Sequence, residues 1–205
     1  MYAHHLRLVL QHFALMWGLT AIGLLIGMLL PSSIVLPIAI MNIILLIVVV
    51  FVRNVYLAGG ILYTVPFLTG IMFFWLGQFF IEALGAAFLL SVFFGTVILF
   101  IILALVGLNI PRDLSSWGMY LVAILLIVII FSLIYFFISV SSAVHIFIAA
   151  LIVLVFALFT VYDFNLIRNH YVKEDEVVKM ALSLYLVFIN LFIHLLELIY
   201  RLKKG

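Results

Sequence analysis

Cysteine is absent from the 205 residues, which excludes disulfides, thiol nucleophiles and cysteine-ligated metals. Charge is scarce as well. Asp, Glu, Lys and Arg make up 8% of the chain, where a soluble domain carries about 25%, so a water-soluble fold is excluded. The net charge of +2 says little about partners, and no basic face or long basic run exists to hold nucleic acid. Proline occurs only four times. What remains is apolar: 70% of the residues are hydrophobic and mean hydropathy is +1.56.

The apolar residues fall into seven runs, near 8–30, 34–53, 57–80, 84–108, 117–139, 142–169 and 178–200. About 20 residues rising ~1.5 Å each cross the hydrocarbon layer, so each run is a candidate span. The breaks are Pro31-Ser32-Ser33, Arg53-Asn54, Glu82, "NIPRD" (109–113), "SVSS" (139–142) and "RNHYVKEDE" (168–176). The runs are apolar around most of their circumference and lack strand-like alternation. The first is too long for a removable signal peptide and has no small-residue cleavage site. The expectation is an all-α membrane protein of seven transmembrane helices, one compact domain over 1–205 without soluble domain, linker or repeat. Pro37 falls in a first helical turn, where the missing N–H costs nothing. Pro66 lies mid-span and should kink its helix.

Seven crossings would put Arg7, Arg53, Arg112, Arg168, Lys173 and Lys179 on the side of the N-terminus, and Arg201, Lys203 and Lys204 on the other. The positive-inside rule then makes the N-terminus cytoplasmic.

Ionisable and polar groups inside spans carry the functional signal, because burying them is costly. Asp163 lies about two turns inside the sixth run, and Val187 lies at a similar depth in the seventh. Arg53 ends the second run on the same side, which makes it the counter-charge for Asp163. In the seventh run Ser183, Val187, Asn190, His194 and Glu197 follow spacings of 4, 3, 4 and 3, one face of a helix. Such a stripe should face the bundle interior or a water-filled path. Ser183 and Asn190 read equally well as interhelical glue. His194 has no second histidine at helical spacing and reads as a satisfied buried histidine, without a metal. His145 reads as a packing residue and Glu197 as a solvated group near the far interface. Glu174-Asp175-Glu176 reads as a solvated loop that starts the last helix.

At "YDFNLI" (162–167) and "MALSLYLVFINLF" (180–192) the sequence resembles bacterial members of the Bax inhibitor family, the transmembrane Bax inhibitor motif proteins. The strong resemblance covers roughly the last fifty residues, and the earlier spans agree in number and length. It implies a seven-helix fold with the last helix central, and a pH-sensitive calcium leak. In that family two aspartates, near the end of helix six and on helix seven, share a proton and control a pore, and an arginine ending helix two latches the first. Asp163 matches the first aspartate and Arg53 the latch. The second aspartate falls at Val187, and an acid that some relatives carry along helix two corresponds to Asn42. Two adjacent carboxylates cannot both ionise easily and respond near neutral pH, whereas one carboxylate beside a guanidinium stays charged. The latch is therefore kept and the proton sensor lost.

The leading expectation is a passive cation leak, with calcium as the permeant ion, in a bacterial plasma membrane. It is not an enzyme and has no cofactor. The competing one is a non-conducting regulator that binds other membrane proteins, as some bacterial relatives associate with a membrane protease. A retinal protein needs a mid-span lysine, and none falls inside a span. One intramembrane aspartate forms no protease dyad, and no Gly-x-Ser-x-Gly occurs. A proton-coupled transporter would need a relay of titratable groups.

Overall fold

A computed structural model describes residues 2–51, 55–137, 141–170 and 174–204, with side chains for 3–46, 60–131, 134, 141–170 and 176–203. Among the described residues there are seven α-helices and no strand: α1 (Tyr2–Gly27), α2 (Val35–Phe51), α3 (Val55–Leu84), α4 (Ala86–Asn109), α5 (Trp117–Phe137), α6 (Ser142–Asn169) and α7 (Glu174–Lys204). A 3-10 turn, Ser32–Ile34, leads into α2. Among the described residues α1, α3, α4, α6 and α7 are long and apolar enough to cross a membrane, and α2 and α5 offer shorter apolar stretches. Large apolar side chains such as Ile98, Ile101, Ile102 and Leu105 on α4 are more than half exposed, which suits lipid and not water. This is an all-α membrane protein, as the composition requires.

The helix ends correct the sequence reading at several points. Glu82 does not break the third run. α3 continues through it to Leu84, and the break is Gly85, at φ 91°. An acid at the end of a span reaches water without leaving the helix, whereas a left-handed backbone is open mainly to glycine. α7 outruns its apolar core in both directions, from Glu174 to Lys204. Acids at its start and bases at its end complement the helix dipole. α3 runs as helix through Pro66, which membrane helices tolerate. Pro37 sits in the first turn of α2.

The chain forms two compact units, residues 3–82 with 172–185, and 83–171 with 186–205. In the first, α1 buries His5, Val9, Met16, Thr20, Gly23 and Gly27, a stripe at helical spacing. Gly23 and Gly70 let α1 and α3 meet backbone to backbone. A Cβ at Gly23 would collide with the Phe67 carbonyl oxygen, and one at Gly70 with that of Thr20. α2 adds Ile38 against Leu68 and Ile71. Tyr185 of α7 is fully buried, edge-on to Trp17 with ring centroids 5.7 Å apart.

In the second unit α6 lies between α4 and α5. α4 buries Val92, Thr96, Phe100, Ala104 and Gly107, again one helical face. Gly107 gives the close approach, since a Cβ there would strike the Val161 carbonyl. The second half of α7 joins through aromatic edges: Phe93 meets Phe188 and Phe192 at 6.0 and 5.5 Å. α7 is the most enclosed span. Half of its apolar window is buried, against 17–28% for the other four.

Candidate functional site

Asp163 is 3% exposed, on the α6 stripe that also buries Phe156, Thr160 and Ile167. The spacing of 4, 3 and 4 gives one helix face, so the carboxylate points inward with the apolar residues. Arg53, its expected counter-charge, lies outside the described residues.

Three ring contacts fix the register of α6 against α7. Phe156 stacks on His194 with centroids 5.9 Å apart and planes 8° from parallel. Phe164 and Phe188 both meet Phe100 of α4, at 5.6 and 5.2 Å. Going up α6 therefore corresponds to going down α7, and the two helices are antiparallel. Asp163 is seven residues beyond Phe156, and Val187 seven before His194. Seven residues are nearly two turns, about 10.5 Å of rise, which returns each side chain close to its starting face. Asp163 and Val187 thus stand at one level of the antiparallel pair. Val187 is 6% exposed and places a methyl-lined surface at the height of the carboxylate.

The α7 polar stripe is bound up mostly with itself. Ser183 and Asn190 are half-buried. Asn190 Nδ2 donates to the Leu186 carbonyl, 2.7 Å away in its own helix. His194 Nδ1 lies 3.1 Å from Glu197 Oε2, while Arg201 donates through Nε and Nη2 to Glu197 Oε1 at 3.0 and 2.7 Å. Glu197 is therefore not a merely solvated group, because it joins a histidine and an arginine along one face. Arg201 belongs to α7 and not to a loose basic tail. His194 is half-buried, stacked and hydrogen-bonded, where the sequence suggests a satisfied buried histidine. His145 is half-buried, with Nδ1 3.2 Å from the Ser141 carbonyl.

Asn42, in the first unit, is 9% exposed. Its Nδ2 donates to Thr69 Oγ1 at 3.0 Å, and its Oδ1 is buried without a hydrogen-bond partner. Asn42 is thus a buried neutral amide whose acceptor oxygen is unused.

Two residues of consequence escape the sequence reading. Asn165, fully buried and two residues after Asp163, secures the loop between α4 and α5. Its Oδ1 accepts from the Leu114 N–H at 2.9 Å. Its Nδ2 donates to the carbonyls of Ile110 and Arg112, both at 3.0 Å, and more weakly to Gly107 at 3.4 Å. One amide thus serves four backbone groups. The second is Tyr185, whose hydroxyl meets Thr20 Oγ1 at 2.7 Å. In the sequence both pass for ordinary members of the last two apolar runs. The signal that could have found Asn165 is an amide one turn before a helix end, close to a loop of unpaired carbonyls.

The same loop carries an ionisable pair outside the spans. Asp113 Oδ1 accepts from the Ser115 N–H at 2.8 Å and lies 2.9 Å from His170 Nε2. The Ser115 N–H first, and then His170, hold its carboxyl below the ordinary 3.8.

Comparison with known proteins agrees with this architecture. The family profile described as "Inhibitor of apoptosis-promoting Bax1" matches residues 2–204. An uncharacterized membrane protein of Streptococcus pyogenes serotype M3 is 33% identical over 130 residues, 60% of this chain and 56% of its own. The Golgi anti-apoptotic protein of vaccinia virus (strain Lister) is 34% identical over 110 residues, covering 54% and 46%. An uncharacterized protein of Helicobacter pylori is 33% identical over 105 residues, 51% and 44%. The chain spans about half the length of these curated relatives.

Proposed function

Because the chain belongs to the Bax inhibitor family, we propose that it is a passive cation leak, with calcium as the ion, gated by Asp163 and an Arg53 latch. The observation that carries this reading is a carboxylate left 3% exposed on the inner face of a membrane-spanning helix. A buried charge there demands neutralisation, and a gate is the use of a charge whose neutralisation can be undone. Arg53 ends the second apolar run and supplies the neutralising guanidinium. Val187, at the level of Asp163, offers no second proton site, so the leak varies little between about pH 6 and 8, since a carboxylate beside a guanidinium favours its charged form. The protein sits in a bacterial plasma membrane with its N-terminus in the cytoplasm, as its arginine and lysine distribution favours.

The polar stripe of α7 favours a second reading, a non-conducting regulator of other membrane proteins. Calcium takes six to eight hard oxygens, while Asn190, His194 and Glu197 are engaged along their own helix. Vesicles loaded with a calcium indicator separate the two. A leak conducts as purified protein alone, and Asp163→Asn, which frees Arg53, increases the flux. Flux at the level of empty vesicles for both proteins leaves the regulator standing. Equal flux from the two proteins refutes the latch.

A further inference from the structure

Asn42 Oδ1 is a polar atom of the first unit that the protein does not satisfy. It is buried with no hydrogen-bond partner among the described residues. The residue is 9% exposed and stands nearly two turns into the apolar α2. Turning the amide over does not help. Its other end meets Thr69 Oγ1 at 3.0 Å, and the Thr69 proton goes to the Val65 carbonyl at 2.8 Å. A flipped amide would therefore strand Nδ2 in place of Oδ1. A buried acceptor left in this condition forfeits a hydrogen bond and calls for an explanation.

The neighbouring groups are rich in acceptors too. A hydroxyl has one proton and two lone pairs. Thr69 accepts from Asn42 and keeps a lone pair to spare. Its hydroxyl also faces the phenol of Tyr185, which in turn meets Thr20 Oγ1 at 2.7 Å. Thr20 directs its proton to the carbonyls of Met16 and Pro66. With the hydroxyl protons committed, this cluster from α1, α2, α3 and α7 takes a donor and not an acceptor. The two ends of one amide are closer together than a hydrogen bond is long, so Asn42 Oδ1 lies within two hydrogen-bond lengths of Thr69 Oγ1. One water molecule bridges that span. Among the described residues no carboxylate meets these side chains, and a bare cation inside a span needs a counter-charge. We propose that Asn42 Oδ1 and Thr69 Oγ1 bind a buried water molecule beside Tyr185, a hydration site inside the first unit. The site is independent of the Asp163 gate.

The test is X-ray radical footprinting of the purified chain in micelles made up in heavy-oxygen water. Ionising radiation splits water where it is bound, and the radicals mark the nearest reactive side chain with that oxygen. Tyr185 is fully buried, so only a water held beside it labels its ring. The control is Phe188, 4% exposed and ringed by Phe93 and Phe100. The parent protein carries heavy oxygen on Tyr185 and none on Phe188. Asn42→Leu and Thr69→Val, each close in shape to the residue replaced, both lose the label on Tyr185. An unlabelled Tyr185 in the parent overturns the proposal without any variant. Equal labelling of Phe188, or a label that persists in a folded Asn42→Leu or Thr69→Val protein, overturns it as well. Suppression of the label by sodium but not by choline would make the occupant a cation and overturn the assignment to water.

Discussion

The hydroxyl of Tyr185 lies 2.7 Å from Thr20 Oγ1. Thr20 has a single proton, and it is directed to the carbonyls of Met16 at 2.9 Å and Pro66 at 3.1 Å. With its proton so directed, the Thr20 oxygen is an acceptor for the phenol. This pair ties α7 to α1, and through Pro66 to α3, in the first unit. Tyr185→Phe should destabilise the protein by about 0.6–1.7 kcal/mol, the range for interhelical hydrogen bonds in membranes. Combined with Thr20→Val it should cost less than the sum of the two single changes, because they remove one interaction. Equilibrium unfolding in mixed micelles reads both, and strict additivity would rule out the coupling.

Asn165 offers a sharper contrast. Asn165→Ala strands the Leu114 N–H and releases the donors to Ile110 and Arg112, and should cost about 2–4 kcal/mol. Asn165→Asp keeps the acceptor for Leu114 but turns an anion toward carbonyl oxygens. It should be the worse of the two despite its closer shape. A milder effect from aspartate would mean that the loop rearranges around it.

Val187→Asp tests the register of α6 and α7. At one level on antiparallel helices, two carboxylates share a proton, so on the proposed reading calcium flux in vesicles should acquire a pH dependence near neutrality. The control is Leu191→Asp, one turn further along α7. Leu191 is fully buried, so both variants bear the cost of an enclosed acid and differ in its level. The same pH response from both variants would remove the register argument.

Asp113 sets an acid limit on the loop between α4 and α5. Its carboxyl is depressed in the folded protein by the Ser115 N–H and then by His170. Its contribution is thus complete above the ordinary value of 3.8 and is lost as the pH falls through the lower folded value. Melting temperature measured from pH 5 downward should decline, starting near pH 4, and Asp113→Asn should flatten that decline. An unchanged slope would show that other carboxylates govern it.

Much of this was legible because membrane helices are written in runs. The seven runs and the burial of Asp163 follow from hydropathy and the cost of charge in lipid. The level of Val187 follows from helical spacing alone. Glu82 misled because charge marks where water begins, which is not where a helix must end, and Gly85 supplied the break instead. Asn165 and Tyr185 were missed because their value lies in partners more than fifty residues away in sequence, namely Leu114 at 51 residues and Thr20 at 165. Periodicity reports which face is buried and is silent about what that face touches. Arg53 lies outside the described residues, so its latch remains a proposal from its place at the end of a run.

Only Gly85 stands between Leu84 and Ala86, in a backbone region that side chains seldom enter. That corner has no slack. A reporter peptide spliced in there would meet a joint already at its shortest, and one spliced between Ile110 and Ser116 would pull apart the backbone groups that Asn165 holds. Anyone mapping the sidedness of this protein with inserted tags should leave both corners alone.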